Sequence, residues 1–195
     1  MRAFKRTSEP TAEAVALDRL RLAVKVDGHD LDEELALRLA EATQLIEHEY
    51  GFALITQTWQ LRLDGFPTCG AIEIPRPPLQ SVTSIEYVDT AGVTQTWDNT
   101  LYRVDDFSEP GRITPAYEQS YPSTRPVTGA VTVTYVAGYG DDESAVPALA
   151  KSALLLAAVD LYRNPETIVA GTVSELPSSV SVQRLMRLLR GYKAG

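Results

Sequence analysis

Residues 75–98 read PRPPLQSVTSIEYVDTAGVTQTWD, and how this stretch is read decides the fold class. Three prolines in four residues end whatever precedes them, because proline offers no amide N–H to a helix or a ladder. Val82, Ser84, Glu86 and Val88 then alternate with Thr83, Ile85, Tyr87 and Asp89, the two-residue period of a strand. Ala91-Gly92 turns the chain, and Val93–Trp97 returns as a second strand rich in Thr and aromatic residues. The stretch predicts a hairpin with good sheet chemistry and no catalytic group.

The same pattern extends in both directions, from about Leu54 to Gly140. TQTWQLRLDGF (56–66) alternates cleanly, and IEIP (72–75) reads as a short edge. LYRVDDFSEPGRITPA (101–116) gives two short strands around a Glu-Pro-Gly turn, and Tyr121–Pro126 is a proline-bounded loop. GAVTVTYVA (129–137) is the most regular strand of all.

Outside this zone the period changes from two to three and four. Thr11–Leu22 predicts a short helix with Ala14, Leu17, Leu20 and Ala16 on its apolar side. VDGHDLDEE starts a longer one, with Asp30 as N-cap and Asp32, Glu33 and Glu34 in the first turn, where the helix dipole favours carboxylates. Leu35, Leu39, Ala42, Leu45, Ile46 and Glu49 follow at helical steps, and Gly51 is placed to stop the helix. After the strands, Ser144 or Val146 can cap a helix with Pro147 in its first turn. That helix, ALAKSALLLAAVDLYRN, is apolar nearly all round and so predicts burial on more than one side, and Asn164-Pro165 ends it. A last helix spans about Ser179–Tyr192, with Val182, Leu185, Met186 and Leu189 as its stripe.

The expected fold is therefore α+β. A helical lobe formed by the N- and C-terminal helices carries an inserted antiparallel β lobe, with the chain divided into 1–52, 53–140 and 141–195. The third segment should pack with the first.

Bulk properties narrow the function. The chain has 195 residues with a net charge of −8, which argues against non-specific nucleic-acid binding over the whole surface, because phosphates would be repelled. One cysteine, Cys69, and two histidines, His29 and His48, exclude a disulfide framework and a Cys/His zinc cluster. No signal peptide or membrane span is visible, and the longest apolar run, Ala153–Val159, is far short of the roughly 20 residues a span needs. A soluble protein made in a reducing cytoplasm is expected.

Each candidate for chemistry has a simpler account. GYGDDE (138–143) begins like a dinucleotide fingerprint, but acids stand where a pyrophosphate would sit and the third glycine is missing. DGHDLDEE (27–34) lacks the Gly and Glu positions of a calcium loop and reads as helix capping. Asp105, Asp106 and Glu109 could pair as general acid and base, but they lie on a turn that polar residues would fill anyway. His48 sits near a helix end, and Cys69 has no basic sequence neighbour to activate its thiol. The sequence therefore predicts no enzyme, no cofactor, no metal site and no catalytic residue.

One feature remains. Arg184, Arg187, Arg190 and Lys193 put four cations in the last dozen residues with no acid among them, a basic tail on an acidic body. A solvated helix face with cations at its C-terminus accounts for them. A docking element for an acidic partner, or for DNA, is the functional alternative.

The order of motifs matches a known family. ALITQTWQLRLDGFP, IEIPRPPLQSVTSIEYVDTAGVTQTWD, YRVDDFSEPGRITPAY and VTVTYVAGYGDDESAVPALAKSALLLAAVDLYRN together resemble the head–tail connector (adaptor) family of long-tailed bacteriophages, prophages and gene transfer agents. PRPPLQSV and SEPGRI are the most specific segments, and the resemblance suggests the adaptor of a Rhodobacter-type gene transfer agent as a near relative. The resemblance implies a structural ring of twelve copies in a virion or phage-like particle. The ring would sit between the portal protein and a stopper or tail-terminator protein, with DNA passing through its lumen without sequence-specific binding and with no membrane partner. It further implies that the C-terminal segment, hence Arg184, Arg187, Arg190 and Lys193, docks on the portal. The alternative function is a DNA-packaging accessory module touching DNA through those same cations. An enzyme built on Asp105 and Asp106 is a third reading.

Overall fold

The computed structural model describes residues 2–164 and 180–190. The chain forms two compact units, one of Met1–Thr11 with Ile55–Asp141 and the other of Ala12–Leu54 with Asp142–Gly195. The fold class is α+β, with antiparallel sheets.

In the β unit, strands β1 (Arg2–Arg6), β2 (Gln57–Leu63), β4 (Leu79–Val88), β5 (Thr94–Thr96) and β8 (Val131–Ala137) make a five-stranded sheet in the order β1-β2-β8-β4-β5. Strands β3 (Ile72–Ile74), β6 (Tyr102–Asp105) and β7 (Gly111–Pro115) make a three-stranded sheet in the order β3-β7-β6. The regular strand read at the end of the β zone is central: β8 pairs β2 from Gln57↔Ala137 to Leu63↔Val131 and β4 from Leu79↔Ala137 to Tyr87↔Val131. Its alternation places Val131, Val133, Tyr135 and Ala137 in the core.

The opening stretch does form a hairpin, β4 to β5, with Glu86 opposite Thr96 and Val88 opposite Thr94. Asp89 builds the turn: its carboxylate accepts from the Ala91 and Val93 N–H groups at 2.9 Å and from Gln95 Nε2 at 3.0 Å. These bonds hold its pKa below the usual carboxylate range, the Val93 amide foremost. Two register shifts against β8, between Leu79 and Ser81 and between Val82 and Ser84, are irregularities of the kind that bend a strand. Leu79 packs against β7, where it lies so close to Gly111 that a Cβ there would meet Leu79 Cδ2 at 2.6 Å.

Aromatic rings fill the space around this hairpin. Phe66 stacks on Tyr121 at 5.2 Å and meets Trp97 edge-on at 5.2 Å, and Trp97 lies 5.0 Å from Tyr102. The Tyr121 hydroxyl donates a hydrogen bond within reach of both the Gly70 and Ile113 carbonyls, so a polar tip is satisfied while the ring is half-buried.

The N-terminal residues depart from the sequence expectation. Residues 2–6, assigned to the helical segment 1–52, form β1 and pair antiparallel with β2 from Arg2↔Leu63 to Arg6↔Trp59. A charged RAFKR segment has no local strand signal, and its structure comes from a partner more than 50 residues away.

The other unit holds helices α1 (Leu17–Val24), α2 (Asp32–Tyr50), α3 (Ala148–Arg163) and α4 (Val180–Arg190). Helix α3 packs on α1, α2 and α4, burying Ala150, Ala153, Leu154, Ala158 and Leu161, as expected for a helix apolar on most sides. Helix α2 buries Leu35, Leu39, Ala42 and Ile46, and Gly51 ends it in the left-handed conformation at φ 71°, which glycine adopts without a Cβ penalty. Glu49 is exposed, and Glu47 is the buried acid, accepting the Leu54 N–H at 2.8 Å.

Three local expectations need correction. Helix α1 begins at Leu17, not Thr11, because Ala16 is extended and its N–H donates to Glu143 Oε2 at 3.1 Å. Ala14 and Val15 are still buried, in non-helical backbone, while Ala16 is exposed. Asp30 does not cap α2, where Leu31 holds the N-cap position without a side-chain bond. Neither Ser144 nor Val146 caps α3; Pro147 is its N-cap residue, and Ser144 belongs to a short 3₁₀ turn, Glu143–Ala145, capped by Asp142.

Candidate functional site

The acidic motifs are absorbed by structure. Asp32 receives Arg21 through two bonds, Nε to Oδ1 and Nη2 to Oδ2, both 2.7 Å, and stands 2.9 Å from His29 Nδ1. The guanidinium first, and His29 second, hold the Asp32 carboxyl below its ordinary pKa. DGHDLDEE thus ties α1 to α2. In GYGDDE, Asp142 accepts from the Ser144 N–H at 2.7 Å, and Glu143 pairs with Arg19 at 2.8 Å. Gly138, the first glycine of that motif, has φ 132°, and a Cβ there would lie 2.5 Å from the Ile55 carbonyl oxygen. Close approach of two backbone segments, not a phosphate cradle, requires glycine at this position.

Asp105 is likewise a turn residue. Its carboxylate accepts from Ser108 Oγ at 2.6 Å, from the Ser108 N–H at 3.0 Å and from the Phe107 N–H at 3.2 Å. The Ser108 hydroxyl leads in lowering its pKa, the opposite of what a general acid needs. Cys69 is exposed on an open hollow of about 500 Å³ lined by Phe66, Pro67, Tyr121 and Pro122 among others. None of the lining residues is charged, and His48 is exposed on α2. Among the described residues no group of three or more His, Cys, Asp or Glu side chains could hold a metal ion, and no helix is long and apolar enough to cross a membrane.

The basic face of α4 stands apart from these. Val182 and Met186 are buried, at 1% and 0% exposure, where α4 packs on α3, and Leu185 and Leu189 are half-buried beside them. Arg184 and Arg187, one turn apart, are exposed and make no ion pair among the described residues. Leu188, 58% exposed, lies next to Arg187. The side chain of Arg190 and all of Lys193 lie outside the described residues. Exposed cations in the final turns of a helix complement its dipole and remain open to an acidic surface.

Sequence reading treated the β6–β7 turn only as a place for acids and passed over Phe107. Its ring is 97% exposed at the tip of the hairpin. The available signal was an aromatic residue inside the polar turn DDFSEPG.

A scan against protein-family models and a search of curated proteins give no match. Solved structures do. A chain from the virion of a native gene transfer agent particle superposes with a TM-score of 0.73 at 22% identity, over 95% of this chain and 93% of that one. A chain from the neck of an empty gene transfer agent particle, computed with C6 symmetry, gives 0.73 at 23% identity over 94% of both. Another from the neck of a native particle, computed with C12 symmetry, gives 0.66 at 23% identity. The chain shares its fold with chains of gene transfer agent particles. With more than nine-tenths of each chain covered, the likeness takes in both units, and gene transfer agents are among the carriers of the family that the sequence motifs resemble.

Proposed function

We propose that the protein is a structural head–tail connector, an adaptor ring joining the portal of a phage-like particle to the next neck or tail component. The observation that carries this reading is the end-to-end likeness to chains from gene transfer agent necks. The C6 and C12 symmetries of those necks support a ring, and twelve copies would match a C12 neck. DNA passes through the lumen, and a net charge of −8 keeps the duplex from adhering to the wall. Arg184 and Arg187, with Arg190 and Lys193 after them, dock on the portal. The protein acts in the assembled particle as a structural part, with Asp32 held in an ion pair by Arg21 and Asp89, Asp105 and Asp142 engaged in turns and a cap.

The test is to mix the purified protein with the portal from the same gene cluster and weigh the product by native mass spectrometry. About one copy per portal subunit is expected. The absence of any complex between a folded protein and a well-formed portal rejects the adaptor role. The exposed arginines of α4 also favour a second reading, a DNA-packaging accessory module. Under it, affinity for duplex DNA would fall steeply with salt, roughly in proportion to the phosphates contacted.

A further inference from the structure

Resting on the ring reading above, we propose that neighbouring copies join head to tail within the β unit, the β6–β7 tip of one copy seating Phe107 on Phe4 in strand β1 of the next. Phe107 is almost wholly exposed, at 97%. A benzyl side chain left in water forgoes the burial energy that aromatic residues contribute in cores and interfaces. Its turn is held by three bonds to Asp105. A ring presented on a fixed turn loses little freedom on docking, the property of an interface anchor. Asp106 and Glu109 flank it, both exposed, so the anchor carries an acidic rim.

The receiving surface has the opposite character. In a chain of net charge −8, Arg2 and Arg6 share the face of β1 that carries Phe4, Arg6 paired there with Glu9, while Lys5 alternates to the other face. Between the two arginines Phe4 is 44% exposed, backed by Trp59 at 5.9 Å, with the Arg76 guanidinium 5.6 Å from its ring centre. An aromatic ring fixed from behind and rimmed by cations fits an incoming Phe rimmed by acids. Tip against tip would oppose like charges, so the pairing has one sense. Because donor and receiver are different patches of one chain, the contact is heterologous, the kind that closes rings rather than symmetric dimers. Backbone pairing between copies is disfavoured at the edges of the five-stranded sheet. The β1 edge is lined with Lys and Arg, and β5 has three residues, Thr94–Thr96, both known means of blunting an edge.

Cross-linking tests the geometry. In a Cys69→Ser background, Phe4→Cys and Phe107→Cys are combined in one full-length chain and oxidised mildly, free at high concentration and on the portal. A covalent ladder of copies is expected. Chains carrying only one of the two cysteines, mixed in equal parts, should stop at a 4–107 heterodimer. By sedimentation equilibrium, Phe107→Ala should weaken self-association at least tenfold. Arg2→Glu and Asp106→Lys should each weaken it about threefold, and together they should restore it. Normal copy numbers on the portal without any 4–107 cross-link, free or bound, would overturn this contact and leave the adaptor reading intact. A 4–107 ladder from a protein that never binds the portal would keep the contact and remove the adaptor reading.

Discussion

In the β unit half-buried rings gather on buried Trp97, with Phe66, Trp97 and Tyr121 in mutual contact and Tyr102 against Trp97, and Tyr135 is fully buried on β8. In the helical unit the interior has no such cluster and sets buried leucines, among them Leu20, Leu35, Leu39 and Leu154, beside alanines. Ala42, Ala150, Ala153 and Ala158 are each 0% exposed, and α3 meets three other helices across such residues. Rings span the wider gap between sheets, whereas alanines let helix axes approach closely. The turns differ as well. Asp89 and Asp105 each fix a turn and Asp98 caps a short 3₁₀ helix with a side-chain carboxylate, while α1 and α2 are held by the Arg21–Asp32 pair. Rigid turns suit a unit that presents side chains outward, and close helix packing suits one whose exposed arginines ride on a firm support.

The comparison predicts different vulnerabilities. Removing a ring should do the most damage: Trp97→Ala, at 3% exposure, should cost about 4 kcal/mol in denaturant unfolding, because the cavity cannot collapse between sheets. Gly138→Ala should follow at about 3 kcal/mol, combining a clash against the Ile55 backbone with strain at positive φ. In the helical unit enlargement should be the harmful change. Ala153→Leu should cost about 2 kcal/mol as α3 is pushed from its neighbours; a negligible effect would mean the alanine contacts are looser than their burial indicates.

The Arg21–Asp32 pair should appear in the pH dependence. The folded pKa of Asp32 is lowered by Arg21 and then by His29, so its stabilisation is present above the ordinary carboxylate value of about 4 and is lost as pH falls through the folded value. Asp32→Asn should therefore be less stable than the parent at pH 7, with the gap narrowing as the pH falls below the ordinary carboxylate value; urea melts across that range measure it. The smallest change is expected for Arg184→Glu with Arg187→Glu. Stability should stay within about 0.5 kcal/mol of the parent, since both side chains are exposed, while portal binding should weaken. Unchanged binding and particle yield would remove these arginines from docking.

Much of this arrangement was legible in the sequence where a local period carried it. Alternation located β2, β4, β6, β7 and β8, and helical steps located the buried faces of α2 and α4. Gly51 and Asn164 marked ends that the structure places at the same residues. The exposure of Arg184 and Arg187 followed from the same period, since burying Val182 and Met186 turns the arginines outward.

The tertiary structure decided what depends on distant partners. Arg2–Arg6 is a strand because β2 offers it an edge, α1 starts late because Glu143 takes the Ala16 N–H, and Gly138 is required because Ile55 passes behind it. Phe107 was visible as a letter, but its exposure was not, because a side chain's accessibility depends on which parts of the chain pack around it. Period and turn chemistry act over a few residues and can be read in order along the chain, whereas pairing across fifty or more residues and the shape of a surface exist only once the chain has closed on itself.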